Sequence, residues 1–254
     1  MREDIEDFLY EKILPYRREK REKGMEDRKT YDGVFDRRTL LAFYKLLKRG
    51  TIKEVEFPIS TGKEGDVFRG IGKEGYIAIK VYRMTTANYR GLSRFIDGDD
   101  RFAHLHKTKD TIILIWAQKE FRNLKDYRDG GVNVPGPVDR WKNIIVMDYI
   151  GDDSMPAPLL KDVMESVKKE MVYEIIQEMK KMYDVGLVHG DLSEYNILVW
   201  GDRPYIIDVA QAVPLDHPLA DELLLRDMKN MVRVFKKLGV NMSVKELARE
   251  VGVV

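Results

Sequence analysis

The residues most able to do chemistry lie in His189-Gly190-Asp191-Leu192-Ser193-Glu194-Tyr195-Asn196, where an Asp precedes an Asn by five positions. A second Asp follows in Tyr205-Ile206-Ile207-Asp208. Phosphoryl transfer from ATP needs such a set: one carboxylate at the attacking hydroxyl, then an amide and a carboxylate for a divalent ion. The pattern assigns Asp191 to the hydroxyl, and Asn196 and Asp208 to Mg²⁺. Apolar Ile197-Leu198-Val199-Trp200 and Pro204-Tyr205-Ile206-Ile207 flank Gly201-Asp202-Arg203. That pattern predicts a hairpin bringing Asn196 and Asp208 to the same end of two paired strands.

Other elements must position a nucleotide. Ala78-Ile79-Lys80-Val81 puts a lone Lys in an apolar strand, which is expensive unless the ammonium meets an anion such as a phosphate. Before it runs Ile59-Ser60-Thr61-Gly62-Lys63-Glu64-Gly65-Asp66-Val67-Phe68, whose two glycines allow backbone N–H groups close to phosphate. No G-x-x-x-x-G-K-[ST] is present, so this is not a Walker A loop. Ile59, Ser60, Gly62, Lys63, Glu64, Gly65 and Val67 are the candidate lining. A helix over 111–129, ended by Gly130-Gly131, offers Glu120 as the ion-pair partner of Lys80. The apolar strand over 143–150 ends at Gly151-Asp152-Asp153, a natural hinge. There the Asp148 carbonyl and the Ile150 N–H are placed to bind an adenine edge, with Met147 lining the pocket.

Length and composition bound the rest. The 254 residues suit one large or two small domains, and a net charge of +1 supplies no global field toward nucleic acid or membrane. The absence of Cys excludes disulfides and Cys-ligated zinc and suits a cytoplasmic setting. No apolar run approaches the roughly 20 residues of a membrane span, and the charged start is no signal peptide. A charged fraction of 34% fits a thermophilic source or a solvated surface. Residues 1–50 read as a helical extension, with one helix around 5–13 and another over 36–48 closed by Gly50. The mixed-sign run at 17–23 reads as a solvated face, leaving direct RNA contact open. Residues 51–147 read as an N-lobe with a three-strand meander over 51–83, and residues 148–254 as a mostly helical C-lobe. The stretch 84–110 reads as a flexible, partly disordered loop in which His104 and His106 are surface histidines. A long helix is expected over 161–185, another over 220–238, and a short one capped by Ser243.

Together these segments resemble the RIO family of atypical serine/threonine protein kinases, most closely its type-one subfamily in an archaeal form. The resemblance covers about residues 50–240. It is carried by Ser60 to Phe68, Lys119-Glu120-Phe121-Arg122-Asn123-Leu124, His189 to Asn196, Ile207-Asp208-Val209-Ala210-Gln211, and Asp216-His217-Pro218 with Leu225-Arg226-Asp227. It implies an α+β, two-lobed kinase-like fold with a shortened C-lobe, lacking an activation segment and peptide-docking helices. It further implies phosphorylation of protein serines or ATP hydrolysis, Mg²⁺ or Mn²⁺, and a role on the small ribosomal subunit precursor. Gly190 stands where ordinary kinases carry an Arg that pairs with an activation-loop phosphate, and Gly65 stands where the family carries Ala. Competing readings are an ATPase switch using the same site with water or Asp208 as acceptor, a small-molecule kinase, and a non-catalytic adaptor.

Overall fold

The computed structural model describes residues 36–62, 65–84 and 89–254. The expected helix around 5–13, the charged run at 17–23, and Lys63 and Glu64 lie outside the described residues. The chain forms two compact units. One takes in residues up to Leu92, with His106–Gln118 and Pro137–Tyr149; the other holds Ser93–Leu105, Lys119–Gly136 and Ile150–Val254. Each is described by itself.

The first unit is built on a five-stranded antiparallel sheet in the order β1-β2-β3-β5-β4, from β1 (Glu54–Thr61), β2 (Gly65–Ile71), β3 (Tyr76–Tyr82), β4 (Pro137–Trp141) and β5 (Ile144–Asp148). The meander expected over 51–83 is therefore present. Pro58 and Pro137 both fall on the outer strands, where a missing backbone donor breaks no interior ladder. Helix α1 (Arg37–Lys48) opens with the Asp36 carboxylate accepting from Thr39 N–H at 2.8 Å and closes as Gly50 turns left-handed. Its Ala42, Phe43 and Leu46 share one face. They pack with Val55, Phe68, Ile77, Ile79, Val81, Ile144 and Val146 in a single apolar cluster. Phe43 and Leu46 are fully buried, each worth about 1.5–3 kcal/mol. Buried Asn143 ties helix to sheet, its amide donating to Thr39 Oγ1 at 2.9 Å and to the Tyr82 carbonyl at 2.7 Å.

The second unit is mainly helical. Helix α7 (Val244–Val251) packs against both α5 (Glu170–Asp184) and α6 (Ala220–Lys237); the buried residues of the three include Met171, Ile175, Met179, Met182, Leu223, Met231, Phe235, Leu247 and Val251. Ser243 and Glu246 form a reciprocal capping box at the start of α7. Strands β7 (Ile197–Trp200) and β8 (Arg203–Ile206) form the expected hairpin, and β6 (Leu187–Val188) pairs with β9 (Val213–Pro214). Helix α3 (Ile112–Asp129) gives its first turns to one unit and the remainder to the other. No helix among the described residues is long and apolar enough to cross a membrane.

Two expectations need correction. The single helix over 161–185 is broken: a short α4 (Leu160–Val163) is separated from α5. The Val163 carbonyl still accepts from Val167 N–H at 3.1 Å, and the ladder then lapses until Met171 N–H donates to the Lys168 carbonyl at 3.1 Å; none of residues 161–170 is buried, so no packed face carries the helix across this stretch. The stretch 84–110 is not one loop. It contains helix α2 (Tyr89–Ile96) and a 3₁₀ turn at Asp100–Phe102 capped by Asp99. Leu92, Phe95 and Ile96 recur at helical spacing and are buried, and Phe102 is fully buried, so the segment has apolar surface enough to order it.

Candidate active site

In the first unit the glycine-bearing turn joins β1 to β2, closed by Gly62 N–H donating to the Gly65 carbonyl at 3.0 Å. A Cβ on Gly65 would stand 2.3 Å from the Val81 carbonyl oxygen, so this strand start lies closer to β3 than a side chain allows without a backbone shift. The next residue, Asp66, is buried and held by Arg83 through bonds of 3.0 and 3.1 Å. Burial pushes its carboxyl up, against the downward pull of Arg83. Cross-strand pairing puts Lys80 beside Val67 and Ile145, and Ala78 beside Met147. Strand alternation then places Val67, Lys80 and Met147 on one face of the sheet, with Phe68, Ile79 and Val81 on the face packed against α1. The Lys80 ammonium lies 5.1 Å from the Tyr82 ring centroid. Ser60 pairs with Val67 and is exposed, Ile59 is half-buried beside it, and Asp148 ends β5 opposite Ile77.

The second unit holds the candidate catalytic loop, His189 to Asn196. Buried His189 accepts Asp191 N–H on Nδ1 at 3.2 Å. Its Nε2 must then carry the proton, and it donates to the Ile207 carbonyl at 3.1 Å. His189 therefore braces the loop from beneath. Gly190 has φ +82°, and a Cβ there would come within 3.3 Å of Leu223 Cδ1, which accounts for a residue without a side chain at this position. The amides on either side of Asp191 converge on one buried carboxylate. Gly190 N–H donates to Asp227 Oδ2 at 2.7 Å and Leu192 N–H to Asp227 Oδ1 at 2.8 Å. Asn230, one turn along α6, donates to the Leu192 carbonyl at 3.2 Å. Ser193 Oγ accepts from Tyr195 N–H, and Glu194 pairs with Lys237 at 2.8 Å, so both shape the turn.

Asp191, Asn196 and Asp208 meet in this unit. Asn196 Nδ2 donates to the Asp191 carbonyl at 2.8 Å, which leaves Asn196 Oδ1 as the acceptor end. Ile207 N–H donates to the Asn196 carbonyl at 3.0 Å, extending the hairpin by one rung beyond the Ile197–Ile206 pair. Asp208 follows in a left-handed conformation, φ 59° and ψ 52°. Burial pushes the Asp191 carboxyl up and the Asp208 charge adds to this, while His189, Arg226 and Asn196 pull it down. Gln211 Nε2 lies 3.5 Å from Asp191 Oδ2, and Arg226 lies 3.4 Å from Gln211 Oε1. Glu120 is buried on α3, and Ile150 belongs to this unit, its carbonyl accepting from Ala157 N–H.

An amide oxygen and a carboxylate at one hairpin end are hard oxygen donors and fit Mg²⁺ or Mn²⁺, which take few protein ligands and complete their shell with phosphate and water. Among the described residues no group of three or more His, Asp or Glu is arranged to hold a metal ion. Exposed His104 and His106 belong to no such group. Sequence reasoning gave no role to Asp227, Asn230, Gln211, Lys119 or Asn123. The signal for Asp227 was its place on the buried stripe Leu223, Asp227, Met231, Val234 of an amphipathic helix, where a carboxylate requires donors.

Residues 66–247 match the RIO domain family. The RIO-type serine/threonine-protein kinase Rio1 of Methanocaldococcus jannaschii is 44% identical over 90% of this chain and 79% of its own length. The serine/threonine-protein kinases RIO1 of Caenorhabditis elegans and Homo sapiens are each 38% identical over 91% and 96% of this chain, which spans about half of their length, 47% and 45%. Among solved structures, the Rio2 kinase of Chaetomium thermophilum in an ADP/Mg²⁺-phosphoaspartate complex shares the fold, with a TM-score of 0.61 at 24% identity over 88% of this chain and 68% of that one. With family match, relatives and fold in agreement, the chain belongs to the RIO family of atypical serine/threonine-protein kinases, in its type-one subfamily.

Proposed function

We propose that the chain transfers the γ-phosphoryl group of ATP to serine hydroxyls of proteins, itself included, and that it acts in the cytoplasm on small ribosomal subunit precursors. The observation that carries the chemistry is the joining of Asp191, Asn196 and Asp208 through one hydrogen-bonded hairpin end. The ribosomal setting rests on family resemblance. Asp191 accepts or orients the proton of the incoming hydroxyl. Its raised carboxyl pKa brings its basicity closer to the working pH than an exposed Asp would have. Asn196 Oδ1 and the Asp208 carboxylate hold the divalent ion, which when bound neutralises charge on the phosphate oxygens. Within the first unit, Lys80 is assigned to the α and β phosphates, Ile59, Ser60, Gly62, Gly65 and Val67 to the nucleotide lining, and Met147 with the Asp148 backbone to the adenine, as the family resemblance implies. ATP hydrolysis, with water or Asp208 as acceptor, would use the same residues.

The test is incubation with γ-labelled ATP and Mg²⁺, with and without small-subunit precursor, for wild type, Asp191→Asn and Asp208→Asn. Asp191→Asn should cost about 10²–10⁴-fold, and Asp208→Asn at least as much. Label on protein serine supports the kinase, and precursor-stimulated phosphate release supports the ATPase. Wild type that does neither overturns both.

A further inference from the structure

Lys119 is among the largest fully buried side chains of the protein, on a helix that would otherwise present an apolar residue there. An ammonium in such a place needs a purpose and a counter-ion. The counter-ion is Asp99, 3.3 Å away and itself buried, which also accepts from Arg101 Nη2 at 2.8 Å; Arg101 reaches on to Asp126 at 2.9 Å. The ammonium donates to the Ala212 carbonyl. One turn along α3, fully buried Asn123 donates from Nδ2 to the same carbonyl at 3.1 Å and to the Val209 carbonyl at 2.8 Å. Val209 and Ala212 bracket the single 3₁₀ turn that immediately follows Asp208.

A left-handed non-glycine residue is strained relative to the common conformations, and at a buried site its surroundings must offset that cost. On its amino side the backbone is fixed by His189 on the Ile207 carbonyl and by Ile207 N–H on Asn196. On its carboxyl side one 3₁₀ turn has a single internal bond, Ala212 N–H to the Val209 carbonyl at 3.1 Å. Gln211 meets Asp191 and Arg226 through its side chain, and Val213 pairs with Val188 just beyond; Lys119 and Asn123 are the side chains that bond the carbonyls of the turn itself. We propose that Lys119 and Asn123, with Asp99 as the counter-ion that lets Lys119 be buried, are positioning residues that hold the metal-binding aspartate, Asp208, in its left-handed conformation. This gives a role to the Asp97-Gly98-Asp99-Asp100 stretch. It rests on the proposed function for the identity of the ligand, but not for the geometry.

The experiment uses the full chain and two variants: Asp99→Asn/Lys119→Met, which removes the charge pair together, and Asn123→Leu, which keeps the charges and nearly the volume. Amide hydrogen exchange at Gln211 and Ala212 in the ligand-free protein, and Mn²⁺ binding followed by electron paramagnetic resonance with ADP present, are read beside circular dichroism. Exchange at both amides should accelerate and Mn²⁺ affinity should fall about 10–100-fold, the usual effect of losing a group behind a metal ligand. A residue with a merely structural role would lower the melting temperature and leave Mn²⁺ affinity unchanged. Folded variants with wild-type exchange and wild-type Mn²⁺ affinity overturn the proposal, and Asn123→Leu decides if the charge variant does not fold. Wild type that binds no Mn²⁺ would sink the kinase reading, while exchange at Gln211 and Ala212 would still decide whether the clamp holds the turn.

Discussion

Replacing Asp227 by Asn asks how much of the catalytic loop is held by one carboxylate. In the native protein each Asp227 oxygen takes one backbone N–H, from Gly190 at 2.7 Å and Leu192 at 2.8 Å. The amide keeps one acceptor oxygen and turns its NH₂ toward the second donor, so one buried N–H loses its partner. A hydrogen bond to a charged group is worth about 1.5–3 kcal/mol, and stability should fall by about that much. With a urea m-value of about 1–3 kcal/mol per molar, the unfolding midpoint should drop by about 1 M. Asp191 sits between the two anchored amides, so its carboxylate should shift as well. A displacement of about 1 Å is enough to reduce turnover by about 10²-fold. Urea unfolding and single-turnover transfer of label from ATP measure the two effects. If the midpoint is unchanged and turnover stays within about twofold of wild type, Asp227 is not what holds the loop.

Two further substitutions test the packing around the site. Gly65→Ala, although it restores the residue the family carries, should destabilise by about 1–3 kcal/mol and raise KM for ATP, because the added Cβ meets the Val81 carbonyl rather than a movable side chain; equilibrium unfolding and initial rates check it. Burial lowers the Lys119 pKa from 10.5 to about 8, against the pull of Asp99. The folded state therefore binds fewer protons than the unfolded one between those values. Wild-type stability, taken relative to Lys119→Met, should be flat below pH 8 and rise with pH up to about 10.5, by at most about 1.4 kcal/mol per pH unit. A difference that falls with pH across that window would refute the assignment.

Much of this was legible in the sequence because local rules and fold agree. The hairpin read from the turn Gly201-Asp202-Arg203 between two apolar runs is present, though its turn closes over Gly201 and Asp202 alone, both with φ 58°, and Arg203 already pairs with Trp200. Gly186 and Ser243 bound their helices where caps are expected. The misses share a cause. Asp227, Lys119 and Asn123 look like ordinary polar positions of amphipathic helices until their burial is known, and their partners, backbone groups and for Lys119 also the Asp99 carboxylate, lie far along the chain, where no local pattern reports them. The break between α4 and α5 falls where Val163, Val167 and Met171 keep helical spacing but residues 161–170 bury no side chain fully, which spacing alone does not report. Helix α2 was hidden because polar residues around Leu92, Phe95 and Ile96 outweighed their spacing.

The hairpin between Asn196 and Asp208 carries a consequence for chain length. Each strand is only four residues long. Adding one residue inside either strand would invert its alternation and send one of the two ligands to the opposite side. At the exposed tip, Gly201 and Asp202, extra residues would instead be absorbed by a longer loop without shifting a rung. Close as it is to the chemistry, that tip is where a reporter peptide could be grafted with the active residues left in place.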